Sequence, residues 1–404
     1  MQHISGGVCA AKGFRAGGIR CGIRKNRTKR DLSMIISEVP ASAAAVYTTN
    51  LVKGAPIYVT QRNLANGIAQ LAICNSGNAN TCNADGEAVA WQMCELAAQA
   101  TGLKPEDVIV ASTGVIGQPL SIDPIRNGMQ ALVAAVHDQG SAEAAEGIMT
   151  TDTRLKEVAV SFKVAGKECH LGGIAKGSGM IHPNLATMLV FLTTDCAVSP
   201  EMLKKALSAD VRDTFNMVSV DGDTSTNDTV SIMANGLAGN PLITEEGPDF
   251  AAFCQALNEV TGTLCRMIAK DGEGASHLLT CSVTGAKTVR DAKLAAKSVI
   301  CSSLLKAAIF GADANWGRVL CALGYSGAEL DVHGIDVSFR SVKGTLPVCV
   351  DGAGVAFSEE KAKEILLEQD IEVLITLHDG DASATAWGCD LTYDYVKING
   401  DYRT

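Results

Sequence analysis

The chain has 404 residues, of which 47% are hydrophobic and 19% charged, and its formal net charge at pH 7 is -10. This length and composition are typical of a globular protein with a large core and two or more domains, and they argue against long disordered regions. The negative charge excludes a broad positive face for nucleic acid.

The first half alternates short apolar segments with helices rich in small residues. Strands are predicted over 43–48, 69–74 and 108–112, the last followed by a sharp turn at Thr113 and Gly114. Helices are predicted from Asn83 or Asp85 to about 100 and over about 122–137. Segments 157–164 and 168–174 flank Gly166 and predict a hairpin, and the apolar run 186–194 predicts a buried strand.

The second half continues the same mixture of elements. Helices are predicted over 200–208, 249–269, 289–305 and 359–369, with strands between them. Because strands and helices interleave without a strict βαβ rhythm, we predict a layered α+β fold with a domain boundary near Gly285.

The one basic run, from Arg20 to Arg30, is interpreted as a solvated loop, and an anion site for a phosphate-rich cofactor such as coenzyme A is the alternative. The fourteen cysteines form no CxxC pair, so we expect reduced, mostly buried thiols in a cytoplasmic protein. No apolar run approaches the roughly eighteen residues that cross a bilayer. We expect a soluble protein.

Several common motifs are missing from the sequence. Gly172 and Gly177 have the spacing of a P-loop, but Ser178 stands where its lysine should be. Neither HExxH nor GxSxG occurs. The run 221–228 resembles the start of a calcium loop, but glycine is missing at the sixth position of the loop and glutamate at the twelfth, so we predict a hydrogen-bonded turn there in preference to ligand contact. No metal site is predicted.

Thr187 directly follows Ala186 at the mouth of a predicted apolar strand. Taken alone, this is an ordinary strand start. The chemical alternative is that the Thr187 hydroxyl attacks the preceding peptide bond, that the amide becomes an ester, and that hydrolysis frees the Thr187 amine. An α-amino group with a pKa of about 7.7–8.0 can accept the proton of its own residue's hydroxyl, which places base and nucleophile on one residue.

Eight segments spread over essentially the whole chain support the chemical alternative. They are 75–80, 112–117, 149–153, 176–189, 219–228, 271–275, 312–317 and 398–404. Together they resemble the bifunctional ornithine acetyltransferase/N-acetylglutamate synthase family. The resemblance implies a layered sandwich of sheets and helices of the self-processing N-terminal-nucleophile-like type, with a smaller C-terminal α/β domain.

The resemblance also implies a processed chain. Cleavage between Ala186 and Thr187 would give an alpha chain, 1–186, and a beta chain, 187–404. Within the beta chain, about 187–284 would complete the catalytic sandwich, and about 285–404 would form the C-terminal domain, whose tail returns to the active site. An assembly of two alpha and two beta chains is expected.

The implied reaction is ping-pong acetyl transfer from N2-acetyl-L-ornithine to L-glutamate, in the biosynthesis of arginine. Thr187 would be the nucleophile, and Thr113 and Gly114 the oxyanion hole. The implied substrate-binding residues are Thr150, Lys176, Thr187, Glu273, Asn399 and Thr404. We expect Lys176 to attract a carboxylate and Glu273 an amine, although these two roles could be exchanged.

The resemblance implies small-molecule substrates, no cofactor, no metal, and no nucleic-acid or membrane partner. It leaves open whether acetyl-coenzyme A is a second donor, and it is silent on feedback regulation. One alternative is a self-processing N-terminal-nucleophile aminopeptidase that releases its acyl group to water. The other is an unprocessed binding protein. The pair of Lys176 and Glu273 favours an amino-acid acceptor.

Overall fold

The structure is a computed structural model that describes residues 1–24, 28–182 and 188–401. Ala186, Thr187 and Thr404, which the sequence analysis places in the site, lie outside the described residues. Within the described ranges, the strands form two sheets, of nine and six strands.

The first sheet is assembled from both sides of the predicted cleavage point. Its described strands are β1 (Gln2–Ile4), β2 (Phe14–Ile19), β3 (Leu32–Tyr47), β4 (Ile68–Asn78), β5 (Val108–Val115), β6 (Lys156–Val164), β7 (Lys167–Lys176), β8 (Leu189–Thr194) and β9 (Thr229–Ala234). Their order is β1-β6-β7-β8-β9-β3-β4-β5, and β2 pairs with β3. The β4–β5 and β8–β9 pairs are parallel.

Helices cover the sheets. In chain order they are α1 (Ala55–Asn63), α2 (Gly86–Thr101), α3 (Asp123–Ala134), α4 (Ser141–Ile148), α5 (Pro200–Asp210), α6 (Pro248–Lys270), α7 (Val289–Cys301), α8 (Ser303–Phe310), α9 (Trp316–Gly324), α10 (Glu359–Leu366) and α11 (Tyr393–Asp401). None of the helices in the described part of the chain is both long and apolar enough to cross a membrane.

The first sheet has apolar layers on both faces. In β4, Leu71 and Ile73 pack with α2 and α3 on one face. The alternate residues Ala72 and Cys74 belong to an inner cluster that also contains Phe191 of β8, as the period of two in a strand requires. Helices α5 and α6 cover the other half of the sheet. Helices therefore pack on the sheet outside an inner apolar cluster, which confirms the predicted layered α+β sandwich.

The second sheet forms the smaller C-terminal unit. Its described strands are β10 (Leu278–Ala286), β11 (Asp336–Ser341), β12 (Gly344–Val350), β13 (Ala353–Gly354), β14 (Asp370–Thr376) and β15 (Ala382–Cys389), in the order β13-β12-β11-β14-β10-β15. Helices α7, α9 and α10 share its core. Strand β10 lies whole in this sheet, so the boundary between the sheets precedes Leu278 and lies a few residues before the predicted Gly285.

Some elements differ from the sequence prediction. Strand β3 starts at Leu32, well before the predicted 43, because its first half pairs with both β2 and β4. The predicted helix over 289–305 is two helices, since Ser302 adopts extended backbone between them and its side chain accepts a hydrogen bond from the backbone N–H of Leu305. Helix α5 begins as predicted, with Ser199 as its cap and Pro200 in its first turn.

The fourteen cysteines are all free, and eight of them are buried. Burial raises the pKa of the Cys94 thiol to about 12 and that of the Cys9 thiol also to about 12. Such thiols stay protonated at neutral pH and are poor nucleophiles.

Candidate active site

A pocket of about 260 Å³ lies at the carboxyl ends of the parallel strands β4 and β5. Its walls come from both sides of the segment between 182 and 188. Six of the predicted site residues line it, namely Thr113, Gly114, Thr150, Lys176, Glu273 and Asn399. Within the described ranges, no group of three or more His, Cys, Asp or Glu side chains is arranged to hold a metal ion.

Thr113 and Gly114 belong to the end of β5 and not to a turn after it. The pairing of β5 with β4 becomes irregular beside Gly77 and Asn78. Gly114 has φ +134°, and a Cβ at this position would lie 2.3 Å from the carbonyl carbon of Gly77. Only glycine fits this close approach of two backbones. The adjacent Thr113 is held on a rigid strand end at the pocket wall.

The turn at 221–228 fixes the backbone that leads to Thr113. Asn227 Nδ2 donates hydrogen bonds to the carbonyl oxygens of Ala79 (2.6 Å) and Ser112 (3.0 Å). Its Oδ1 accepts from the hydroxyls of Thr81 (2.7 Å) and Thr226 (2.6 Å). The side-chain amide uses both donors and both lone pairs. The predicted hydrogen-bonded turn is present, and it ties the strand ends of the pocket together.

A buried ion triad lies beneath the pocket. Lys156 Nζ lies 2.7 Å from Asp152 Oδ1 and 2.5 Å from Asp271 Oδ2. Burial acts to raise the pKa of Asp152, but the ammonium groups of Lys156 and Lys176 and the backbone N–H of Gly177 outweigh it. The pKa of Asp152 is therefore lowered below its ordinary value. Asp152 is therefore ionised, and its oxygens are engaged by Lys156 and by backbone N–H groups.

The triad positions three segments of the pocket wall. Asp152 accepts hydrogen bonds from the backbone N–H of Thr150 (3.0 Å) and of Gly177 (2.7 Å). The Ser178 hydroxyl donates to the carbonyl oxygen of Asp271 (2.7 Å). The segment after α4, the end of β7 and the segment after α6 are thus joined through one charged cluster.

The C-terminal helix α11 closes one side of the pocket. Asn399 Nδ2 donates to Glu273 Oε2 at 2.8 Å, and the Thr392 hydroxyl donates to the carbonyl oxygen of Gly274 at 2.6 Å. Gly274 has φ +69°, and a Cβ there would lie 2.6 Å from the backbone nitrogen of Tyr395. Helix α11 therefore docks closely on the segment that carries Glu273.

Asp228 is the most unusual group of the pocket wall. It is 2% exposed, and its Oδ2 has no hydrogen-bond partner among the described residues. Burial raises its pKa well above the ordinary value, although the Ser225 hydroxyl and the Lys176 ammonium act to lower it. Burial of this kind favours the uncharged carboxylic acid over the carboxylate.

The entrance to β8 lies beside Asp228. The backbone N–H of Thr229, the next residue, donates to the carbonyl oxygen of Met188 at 2.9 Å. Leu189 pairs with Thr229 on one side and with Lys176 on the other. The start of β8 at Leu189 therefore lies between Lys176 of β7 and Thr229 of β9.

Two arginines in the described part of the basic run are less solvated than predicted, and Lys25 and Arg27 lie outside the described residues. Arg24 Nη1 donates to the carbonyl oxygen of Met149 (2.8 Å), and its Nη2 to that of Thr150 (3.0 Å). Arg30 pairs with Glu146. These two arginines are bound to the protein because the loop returns over the end of α4, whereas Arg20 is exposed.

Several residues of the site were not predicted from the sequence. Asn227 and Asp228 stand in a segment that was singled out as a turn and as a family-like segment, but neither residue was assigned a role in the site. Asp152 and Asp271 stand in family-like segments without an assigned role, and Lys156 gave no signal, because the spacing of the three residues along the chain does not reveal that they meet.

Comparisons of the chain with known families, curated proteins and solved structures all point to one family. The ArgJ family model matches residues 15–404. The arginine biosynthesis bifunctional protein ArgJ of Caldanaerobacter subterraneus subsp. tengcongensis is 49% identical over 405 residues, and that of Symbiobacterium thermophilum is 50% identical over 406; each match covers 100% of both chains. A crystal structure of the arginine biosynthesis bifunctional protein argJ from Bacillus halodurans is 46% identical, with a TM-score of 0.50, over 53% of this chain and 98% of that chain.

Proposed function

This chain belongs to the ArgJ family and is an acetyltransferase of arginine biosynthesis, and we propose that it moves the acetyl group of N2-acetyl-L-ornithine to L-glutamate through an acetyl ester on Thr187. The observation that carries the proposal is the meeting, in one pocket, of the six described residues at family site positions. The pocket also contains a cationic side chain, Lys176, and an anionic one, Glu273, which can pair with the carboxylate and the amine of an amino-acid substrate.

Self-cleavage between Ala186 and Thr187 is the first step of the proposal. Met188, to which Thr187 is bonded, is anchored to Thr229 at the pocket wall. The solved relative from Bacillus halodurans also supports processing. Its chain covers 53% of this one while matching over 98% of its own length, and the fragment 187–404 would be 218 of 404 residues, about 54%.

In the first half-reaction, the Thr187 hydroxyl attacks the acetyl carbonyl of acetylornithine, and its free amine takes the hydroxyl proton. The Thr113 hydroxyl and the Gly114 N–H donate to the developing alkoxide. Ornithine leaves. In the second half-reaction the amine of glutamate attacks the acetyl ester, which gives N-acetylglutamate.

The charged side chains of the pocket select amino acids over water in this proposal. Lys176 attracts a carboxylate of the substrate, and Glu273, held by Asn399, pairs with an amine. A bound acceptor amine is held beside the ester, so transfer outcompetes hydrolysis. This separates the proposal from an aminopeptidase, which would release acetate to water.

The curated relatives are named bifunctional, and we propose that acetyl-coenzyme A is a second donor for the same acetyl ester. The measurement is release of the coenzyme A thiol in the presence of glutamate. Thiol release that depends on Thr187 supports a shared ester. No release by an enzyme active with acetylornithine would limit the chain to recycling of acetyl groups.

The test of the main proposal compares the purified protein with Thr187→Ala by intact mass and by acetyl transfer. We expect two fragments, beginning at Met1 and Thr187, and transfer activity in the natural chain, with both lost in the variant. A single uncut mass together with unchanged transfer in Thr187→Ala would remove the proposal. Acetate release in place of N-acetylglutamate would favour the hydrolase alternative.

We further propose that two alpha and two beta chains assemble, as the family resemblance implies. Within one such pair, β8 and β9 lie between β7 and β3 of the first sheet, so the fragments would remain joined after cleavage. Native mass spectrometry distinguishes a two-chain particle from the expected four-chain particle.

A further inference from the structure

We propose that Asp228 is an acid–base residue of the acetyl transfer, whose carboxylic acid gives a proton to the departing nitrogen and recovers one from the arriving nitrogen. This inference rests on the proposed function at Thr187. It adds a residue that the family resemblance, as drawn from the sequence, does not place among the catalytic or substrate-binding groups.

Geometry is the first argument. Asp228 lines the same pocket as Thr113 and Lys176, directly precedes the residue that anchors Met188, and is 2% exposed. Its Oδ2 is buried and lacks a hydrogen-bond partner among the described residues. A buried oxygen is costly to leave unpaired, and a substrate nitrogen in the pocket would be a suitable partner for it.

The other carboxyl groups near the pocket already have ion-pair or hydrogen-bond partners. Asp152 and Asp271 both bind Lys156, and Glu273 accepts a hydrogen bond from Asn399. The Lys176 ammonium and the Ser225 hydroxyl favour the ionised form of Asp228, but burial outweighs them and raises its pKa well above the ordinary value. Among these four, it is the carboxyl group suited to donate a proton.

The proton balance closes over the two half-reactions. In the first, the bond between the Thr187 oxygen and the acetyl carbon forms, and the bond between that carbon and the nitrogen of acetylornithine breaks. The hydroxyl proton goes to the Thr187 amine, and the Asp228 proton goes to the departing nitrogen. Ornithine leaves as a neutral amine, while the Thr187 ammonium and the Asp228 carboxylate remain.

The second half-reaction restores both groups. The neutral amine of glutamate forms a bond to the acetyl carbon and passes one proton to the Asp228 carboxylate. The ester bond breaks, and the Thr187 oxygen takes a proton from the adjacent ammonium. Each turnover thus ends with a neutral amine, a hydroxyl and a carboxylic acid, as it began.

The test uses two acetyl donors that differ in their need for an acid. Acetylornithine has an amine leaving group that must be protonated, whereas 4-nitrophenyl acetate releases a phenolate that needs no proton. In Asp228→Asn, we expect acetylation by acetylornithine to slow about 100-fold or more, and acetylation by 4-nitrophenyl acetate to stay within about threefold of the natural protein. Equal slowing with both donors, or with neither, would overturn the proposal.

Asp210→Asn is the matched control. Asp210 is also buried, at 8% exposure, and burial likewise raises its pKa. Its carboxylate accepts hydrogen bonds from Asn258 and Thr214, and it does not line the pocket. We expect Asp210→Asn to react normally with both donors, which separates a catalytic loss from a general effect of neutralising a buried acid.

The natural protein provides a second measurement that needs no folded variant. The rate of acetylation by acetylornithine should fall as pH rises through the pKa of Asp228, because the acid form is lost, while the rate with 4-nitrophenyl acetate should not fall. Parallel profiles with the two donors would contradict the role of Asp228. Failure of the natural protein to be acetylated by either donor would instead contradict the proposed function itself.

Discussion

Asn399, near the end of the described chain, donates a hydrogen bond of 2.8 Å to Oε2 of Glu273, which lies directly after the long helix α6. The C-terminal helix α11 thereby orients a carboxylate of the pocket that belongs to a distant part of the sequence. Glu273 is 9% exposed.

Asn399→Ala should weaken substrate binding. A hydrogen bond to a charged group contributes about 1.5–3 kcal/mol, so we expect KM for acetylornithine to rise about tenfold or more with little change in the melting temperature. Steady-state kinetics checks this. Lys397→Ala, on an exposed residue of the same helix, should keep the normal KM, and an unchanged KM in Asn399→Ala would contradict the role of this contact.

Removal of 401–404 should abolish acetyl transfer and leave the fold intact. The family resemblance places Thr404 at the substrate, and Thr392 and Asn399 of the C-terminal segment hydrogen-bond to the segment of Glu273. Circular dichroism and the transfer assay on the shortened protein are the measurements. Near-normal activity would show that the last residues are dispensable.

Thr113→Val should slow turnover by about 100- to 1000-fold, as expected for loss of one oxyanion donor. Valine has the same shape and fits the end of β5, so the melting temperature should change little. Thr113→Ser restores the hydroxyl and should recover most of the turnover. A valine variant with normal kcat would exclude the Thr113 hydroxyl from stabilising the transition state.

The sequence predicts individual helices and strands well, but it predicts poorly the contacts between distant segments that form the pocket. The helix that ends at about 100 and the hairpin around Gly166 are present because each is encoded by its own periodicity and glycine. The pocket depends on irregular pairing at Gly77 and on a triad centred on Lys156. Both arise from packing between distant segments. Family resemblance, not local pattern, identified the six described site residues.

Lys156→Met should destabilise the protein, because it leaves two buried carboxylates without their cation. We expect the free energy of unfolding near neutral pH to fall by about 3–5 kcal/mol, measured by denaturant titration. Lys163→Met, at an exposed position of the same strand β6, should change it little. A similar loss in both variants would point away from the buried triad.

The effect of Lys156→Met should depend on pH. The pKa of Asp152 is lowered in the folded protein, so its ionised form stabilises the fold above its unfolded pKa of about 3.9, and this contribution disappears as pH falls below that value. The difference in unfolding free energy between the natural protein and Lys156→Met should therefore shrink below about pH 4. A difference that is constant with pH would contradict this.

Arg24→Ala should disturb the pocket from outside. The Arg24 guanidinium holds the carbonyl oxygens of Met149 and Thr150, so its loss should release the segment that carries Thr150 and raise KM several-fold. Arg20→Ala, on an exposed residue of the same loop, should have no effect. Equal KM values in the two variants would restore the interpretation of the run as a solvated loop.

The strand order of the first sheet has a consequence for how the cleaved molecule would unfold and refold. Strands β8 and β9 follow the proposed scission point in sequence, yet they are flanked by β7 and β3, which precede it. A chain that folds in one piece and is then cut would have to reassemble from two separate polypeptides once denatured. Its unfolding and refolding curves would no longer coincide, and the yield of refolded protein would depend on protein concentration. Its stability would then be kinetic, set by how slowly the sheet unfolds.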